Sequence, residues 1–358
     1  MMEIRMFDER QDVDDFLDLF EISFGKPMSK DYFTWKYVEN PFRIDEVPII
    51  VAENNHRLIG ARPFVATRML IAGKIMNALQ PCNTMVHPEF RGKGVFPQMN
   101  EFAIKEFQGT DYKIFYNFPN KNSFRGYLKC GWQAIGRTAW YWKILNPEKV
   151  LNAVFNNYVL RKAGGLLSGI YWHKFRLPEF QNRNVTIGFV NDLNFLERIF
   201  NDWRSDNGKI YTIRDERYLN WRFRSHPKKK YLFIVSQMGE ETKGYFTLNI
   251  DSFMGMKRGT ISDYLVVGNS PDIFESLLTY SLNLFQKRSC DVVDTWVFTQ
   301  RWAEEIVKKQ GFMSSQSIFI RQWFSNEYLV ARPVDKESFF YHLPHMEWYI
   351  TPSDADFF

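Results

Sequence analysis

The chain has 358 residues, 45% of them hydrophobic, and 46 basic against 41 acidic side chains give a formal net charge of +5. That length suits two domains of about 150 to 180 residues with sizeable cores, and so mild a charge falls short of a nucleic-acid footprint, leaving Lys228-Lys229-Lys230 as a solvated turn. Three scattered cysteines exclude a disulfide framework or a paired-cysteine metal site, while a charged N-terminus and the lack of any run of eighteen apolar residues predict neither a secretory leader nor a membrane span; the expectation is a reducing, cytoplasmic setting.

In chain order, residues 3–7 read as a strand and 12–24 as an amphipathic helix with Val13, Phe16, Leu17, Phe20 and Phe24 on one side. A second short helix opens at Ser29 and ends before Asn40-Pro41. Residues 47–53, 57–70 and 74–86 alternate as strands, with turns at Asn54-Asn55 and Ala72-Gly73. The stretch from Val86 through His87-Pro88-Glu89-Phe90-Arg91-Gly92-Lys93-Gly94 to Val95-Phe96 then feeds a helix in which Val95, Met99, Phe102, Ala103 and Phe107 recur at three and four residues. A helix N-terminus leaves backbone N–H groups unpaired and carries partial positive charge, so this turn offers a seat for an anion such as a pyrophosphate. Gly92 and Gly94 let the backbone approach a ligand, Arg91 and Lys93 supply charge, and Pro97 fits the first helical turn. An ordinary strand-to-helix connection needing two glycines is the plain alternative. A dinucleotide fingerprint fails for want of a third glycine, and a Walker loop fails because no Gly-Lys-Ser/Thr occurs. Residues 112–118 read next as a strand, 120–130 as a helix and 137–145 as a closing strand.

Arg91 to Val95, following Val86-His87-Pro88, resemble the Arg/Gln-x-x-Gly-x-Gly/Ala loop of the Gcn5-related N-acetyltransferase (GNAT) superfamily, with Phe96 in place of the final Gly or Ala. Asn120-Lys-Asn-Ser123-Phe-Arg-Gly-Tyr127-Leu-Lys129-Cys-Gly131-Trp132 resembles that superfamily's Asn-x-x-Ala-x-x-x-Tyr-x-Lys-x-Gly-Phe helix. The resemblance implies an α/β (α+β) fold, a mixed and mostly antiparallel sheet flanked by helices. It implies acetyl-CoA as co-substrate, bound by Val86, Arg91, Gly92, Lys93, Gly94, Val95, Phe96, Asn120 and Ser123, with no metal. It assigns to Tyr127 the proton taken up by the departing thiolate, a role for which a phenol is a suitable donor.

The pattern repeats. Tyr32-x-x-Trp35-Lys36-Tyr37-x-x-Asn40-Pro41 returns as Tyr218-x-x-Trp221-Arg222-Phe223-x-x-His226-Pro227, each followed by a strand pair carrying a glycine, Gly60 or Gly244. Residues 261–267, 271–285, 291–298 and 303–312 then repeat the strand, helix, strand and helix of the first copy at near-constant spacing. Two tandem GNAT folds are therefore expected: a catalytic domain over 1–145, a linker over 146–181, a degenerate domain over 182–325 and a tail over 326–358. In the second copy Gly268-Asn269-Ser270-Pro271-Asp272-Ile273 replaces the basic turn, puts an acid where a phosphate would sit, and leaves that copy to shape the acceptor cleft. The arrangement is similar to tandem acetyltransferases of the Eis-like type, which place the C-terminus near the active site, but too few residues remain here for their sterol-carrier-like domain.

The linker reads as a helix packed across both domains, against a rival reading of residues 150–175 as a peripheral membrane contact, which Asn152, Asn156 and Asn157 oppose. His342 and His345 lack a third ligand nearby and read as surface residues. The expected activity is acetyl transfer to the amine of a small acceptor, an amino sugar, an aminoglycoside-like compound or another metabolite. No general base is legible: His87, a water chain, Asp354 and Asp356 stay open, Glu89 reads as a loop residue, and Asn83 and Thr84 are not bases at neutral pH. A non-catalytic acyl-CoA-binding scaffold and a Fem-type aminoacyl transferase are the alternatives; the intact first-copy signature opposes the former, and the lack of a heptad arm the latter.

Overall fold

A computed structural model describes residues 2–154, 185–204, 209–315, 327–335 and 338–356. Its two sheets are mixed and mostly antiparallel. The first runs, in spatial order, β1 (Met2–Met6), β2 (Ile49–Asn54), β3 (Arg57–Ile71), β4 (Lys74–Pro81), β6 (Tyr112–Asn117), β16 (Tyr328–Pro333) and β7 (Gln133–Arg137). To β3 are also paired β5 (Met85–Val86) and β10 (Lys209–Thr212), and β17 (Glu347–Trp348) pairs with β10. The second runs β15 (Met313–Ser314), β8 (Ala139–Ile144), β14 (Val292–Val297), β13 (Met256–Val266), β12 (Glu241–Phe253), β11 (Tyr231–Met238) and β9 (Thr186–Val190). The long β3 is buried along nearly its whole length, as expected of a central strand covered on both faces. Helix α1 (Val13–Phe24) covers it with Phe16, Leu19 and Phe20, and α3 (Val95–Glu106) with Val95, Met99 and Ala103.

The halves exchange strands. The closing strand expected at 137–145 divides at Thr138, whose N–H and hydroxyl both donate to the Glu327 carbonyl at 2.9 Å. Only β7 stays in the first sheet; β8 crosses to lie between β14 and β15 of the second. In return β16, from residues expected to form a tail, inserts between β6 and β7. Alternation along Ala139-Trp-Tyr-Trp marks a strand but not its partner, because pairing this remote leaves no local signature. Trp140 settles edge-on to Trp296 of β14, ring centroids 5.4 Å apart.

The repeated aromatic motifs meet face to face. In each, a one-turn helix (α2, Lys30–Phe33, and Glu216–Leu219) widens into a π-helical turn, Thr34–Val38 or Asn220–Arg224. Trp35 Nε1 donates to the Trp221 carbonyl at 2.8 Å, and Trp221 Nε1 donates to the Trp35 carbonyl at 2.9 Å. Their rings stack at 5.5 Å, an approximate local two-fold relation that joins the halves. One continuous apolar core runs through both. Of the expected linker, Pro147–Val154 is a helix that sets Val150 against Trp142, Met256 and Val292; residues 155–181 lie outside the described residues. Among the described residues no helix is long and apolar enough to cross a membrane.

Candidate active site

Strands β4 and β6 run parallel through Asn77–Tyr112, Ala78–Ile114 and Leu79–Phe115, then part. Pro81 has no N–H to continue the ladder. Residues 82–84 break from the strand, with Asn83 at φ 44, and β5 resumes against β3 through Gly60–Val86 and Ala61–Met85. The parting opens a cleft of about 550 Å³ between residues 81–86 and 117–120, shared with Phe24, Phe96, Ser123, Tyr127, Glu327 and Asp356.

From Val86 the chain enters the glycine turn. Pro88–Phe90 makes a short 3-10 turn, Arg91 Nε donates to the Val86 carbonyl at 3.2 Å, and Gly92 and Gly94 take φ of 76 and 79. A Cβ on Gly92 would touch nothing, so glycine serves here for its backbone conformation rather than for space. Gly94 caps α3, whose first turn holds no acid and exposes unpaired N–H groups beside the exposed Arg91 and Lys93. Val95 turns into the core under Gly60, where a Cβ would come within 2.9 Å of it, so that close packing seats the helix on β3.

Asn120 caps α4 (Lys121–Lys129): its Oδ1 accepts from the N–H groups of Asn122 and Ser123 at 3.0 and 3.1 Å, and Ser123 Oγ donates back to it. Two turns on, Tyr127 is buried edge-on to Trp132. Its phenol oxygen accepts from Asn117 Nδ2 at 2.6 Å. Asn117 is oriented in turn by the Phe118 N–H bonded to its Oδ1, so the Tyr127 hydroxyl proton is left for the cleft. Of the residues expected to bind cofactor, Val86, Phe96, Asn120 and Ser123 line the cleft with Tyr127; Arg91 to Gly94 form the turn continuous with it, and Val95 faces the core.

A polar cluster against the cleft escaped the sequence reading. Lys36, 3% exposed, donates to Asn83 Oδ1 at 2.7 Å and to Asp356 Oδ2 at 3.2 Å, and Tyr37 Oη donates to the same Asn83 oxygen at 3.0 Å. Burial opposes the Lys36 charge, but its Cys82, Tyr32 and Asp356 neighbours outweigh that and raise its pKa. Burial pushes the Cys82 thiol up to about 11, which removes it as a nucleophile near neutral pH. Among the acid–base candidates, His87 is buried outside the cleft with Arg57 on its Nε2 at 3.3 Å, and Glu89 is exposed on the 3-10 turn. Asp354 is wholly buried, accepting from Arg214 and from the Thr351 N–H. Asp356 alone of these lines the cleft. His342 and His345 are exposed, and the described residues contain no cluster able to hold a metal.

In the second sheet the matching gap is filled. Strands β13 and β14 run parallel over Arg258–Val292, Gly259–Val293 and Thr260–Asp294. Past that point residues 348–351 bond to β13 and to the loop that follows β14: Tyr349 Oη donates to the Tyr264 carbonyl at 2.6 Å, Thr351 Oγ1 to Asp263 at 2.6 Å, and Thr299 Oγ1 to the Trp348 carbonyl at 2.7 Å.

Residues 3–135 match the family model described as an acetyltransferase (GNAT) domain. No curated protein sequence matches the chain. Among solved structures it is similar to a GCN5-related N-acetyltransferase from Anabaena variabilis, with 13% identity, TM-score 0.65, and 94% of this chain and 73% of that one covered. A probable N-acyltransferase from Enterococcus faecalis aligns with 11% identity, TM-score 0.67 and coverage of 95% and 74%, and a GCN5-related N-acetyltransferase from Kribbella flavida with 11% identity, TM-score 0.60 and coverage of 93% and 71%. Residues 3–135 thus match a GNAT acetyltransferase domain, within an architecture of two mixed sheets that is consistent with two GNAT-like folds.

Proposed function

We propose that the protein transfers an acetyl group from acetyl-CoA to the amine of a small acceptor, with chemistry confined to the first copy. The observation that carries this is the open cleft in the first sheet, bounded by the glycine turn, the capped α4 and Tyr127, while the second sheet's gap is filled. Arg91, Lys93 and the free N–H groups of Gly94, Val95 and Phe96 suit a pyrophosphate, which no acid in that first turn repels. Asn120 and Ser123 flank the pantetheine path, and Val86 offers strand backbone to it.

In transfer, the amine nitrogen bonds to the thioester carbonyl carbon as the carbon–sulfur bond breaks. The sulfur takes the Tyr127 proton, which its hydrogen bond from Asn117 leaves facing the cleft. Asp356, which lines the cleft, holds the ammonium and takes up its first proton directly or through water, and the second nitrogen proton, shed as the amide forms, restores the Tyr127 phenol. Calorimetric titration of acetyl-CoA tests the reading, with Arg91→Glu beside it. One site per chain, lost in the variant, is expected; no binding, or binding indifferent to the charge reversal, overturns it.

A further inference from the structure

Two side chains of the cleft have no part in the transfer steps above, and each has its acceptor oxygen occupied from behind. An ammonium can only donate, so the Asn83 atom facing Lys36 is its amide oxygen, and the Asn83 N–H₂ is left without a partner among the described residues. The residue sits in the left-handed region at φ 44, a strained setting that bonds from Lys36 and Tyr37 hold in place. Next to it, the Thr84 hydroxyl accepts from Arg62 at 3.2 Å, which leaves its own O–H to donate.

Arg62 is the unusual member. It is 1% exposed, its Nε has no partner, and no carboxylate among the described residues pairs with it. It lies against the rings of Phe64, Phe96 and Tyr127 at 5.1 to 5.6 Å. A guanidinium removed from water without a counter-ion disfavours the fold unless something anionic is brought to it. The cleft thus presents donors, backed by two buried cations, at Asn83 and Thr84. Beside them lies Asp356, bound to the same Lys36 ammonium as Asn83.

We propose that the acceptor is a zwitterion of amino-acid type, an amine that also carries a carboxylate. The carboxylate rests on the Asn83 amide and the Thr84 hydroxyl above Arg62, and the ammonium faces Asp356. This rests on the acyl-transfer reading and names its acceptor class; a polycation would set further positive charge over Lys36 and Arg62.

The test uses matched acceptors: free amino acids with aliphatic and aromatic side chains, their carboxamides, the corresponding decarboxylated amines, and an aminoglycoside. Binding to the CoA-saturated protein is measured by calorimetry, and thiol release with acetyl-CoA is followed for the same compounds. The acids are expected to bind at least about tenfold more tightly than their carboxamides, the scale of a charge-assisted hydrogen bond. Thr84→Val and Asn83→Ala should abolish most of that preference, weakening the acids several-fold more than the carboxamides. Because Arg62 is buried in the core and its replacement perturbs folding, the near-isosteric Thr84→Val carries the test. Equal handling of acid and carboxamide, binding of the aminoglycoside alone, or no binding of any acid overturns the proposal. So does an equal loss for acid and carboxamide in Thr84→Val, which would give the hydroxyl to the thioester oxygen instead. Loss of acetyl-CoA binding itself is a separate result that fails the acyltransferase reading, because acid binding to the protein alone still reports on the anion seat.

Discussion

His226 closes the second aromatic motif where Asn40 closes the first, and exchanging it for Asn tests how the halves are held together. In the first copy Asn40 Oδ1 accepts from the Phe42 N–H at 2.9 Å and its Nδ2 donates to the Ala66 carbonyl. In the second, His226 Nδ1 accepts from the N–H groups of Lys228 and Lys229 at 3.1 and 3.0 Å, and the ring lies 4.3 Å from that of Trp35 across the junction. Burial first, then the Arg222 and Lys229 charges, lower its pKa from 6.5 to about 3. The folded state therefore keeps the imidazole neutral, while the unfolded chain takes a proton below about pH 6.5. Stability is fully present above that pH and is lost as the pH falls towards 3. At pH 5 the difference is about 2 kcal/mol, reduced to roughly 1 kcal/mol by solvent screening of the flanking cations. Thermal unfolding at pH 7 and pH 5 should show wild type losing roughly 1–3 °C more than His226→Asn, whose amide oxygen can accept the same two N–H groups without titrating. An equal drop in both proteins, or an imidazole titrating near 6.5 in the folded protein by NMR, would refute the reasoning.

Two further predictions concern the cleft of the first sheet and the packing of the second. Tyr127→Phe removes the proton source proposed for the thiolate and should lower turnover by about 10²- to 10⁴-fold with acetyl-CoA affinity held within about twofold; undiminished turnover assigns that proton elsewhere. Gly244→Ala places a Cβ 2.8 Å from the Leu265 carbonyl, a backbone atom that cannot swing aside, and should destabilise by about 1–3 kcal/mol in a denaturant titration. An unshifted midpoint there would mean that β12 can slide on β13.

What the sequence made legible was local. Residues 91–95 specify a turn because glycines at 92 and 94 supply positive φ between a strand and an amphipathic run, and Asn120 specifies a helix start because its side chain caps its own neighbours. The Trp35 and Trp221 motifs announced themselves by repetition, although nothing in either told that each indole would bond to the other's backbone. What stayed hidden was non-local. The β8 and β16 exchange joins residues whose alternation suits either sheet, and the Lys36–Asn83–Asp356 group gathers positions from opposite ends of the chain. One signal was available: both copies carry a cation, Lys36 or Arg222, inside an otherwise aromatic motif. A charge on a face that must be buried requires a partner, and in both copies the C-terminal segment provides it.

The same position in the two folds has been put to opposite uses. Pairing of Gly60 with Val86 and of Gly244 with Val266 makes Asp263 the counterpart of Asn83, each lying three residues before the valine. In the first copy that residue leaves the strand and faces the cleft. In the second it stays within β13, wholly buried, accepting from Arg214, Tyr245 and Thr351. Arg214 also holds Asp354, so the acid that replaces Asn83 anchors the segment that fills the second gap. That segment then gives the Ser353 and Ala355 carbonyls to Arg222 and ends by setting Asp356 on Lys36. Filling of the second gap and placement of Asp356 beside the first cleft are thus one structural feature: the chain that fills the gap in one fold delivers a carboxylate to the cleft of the other.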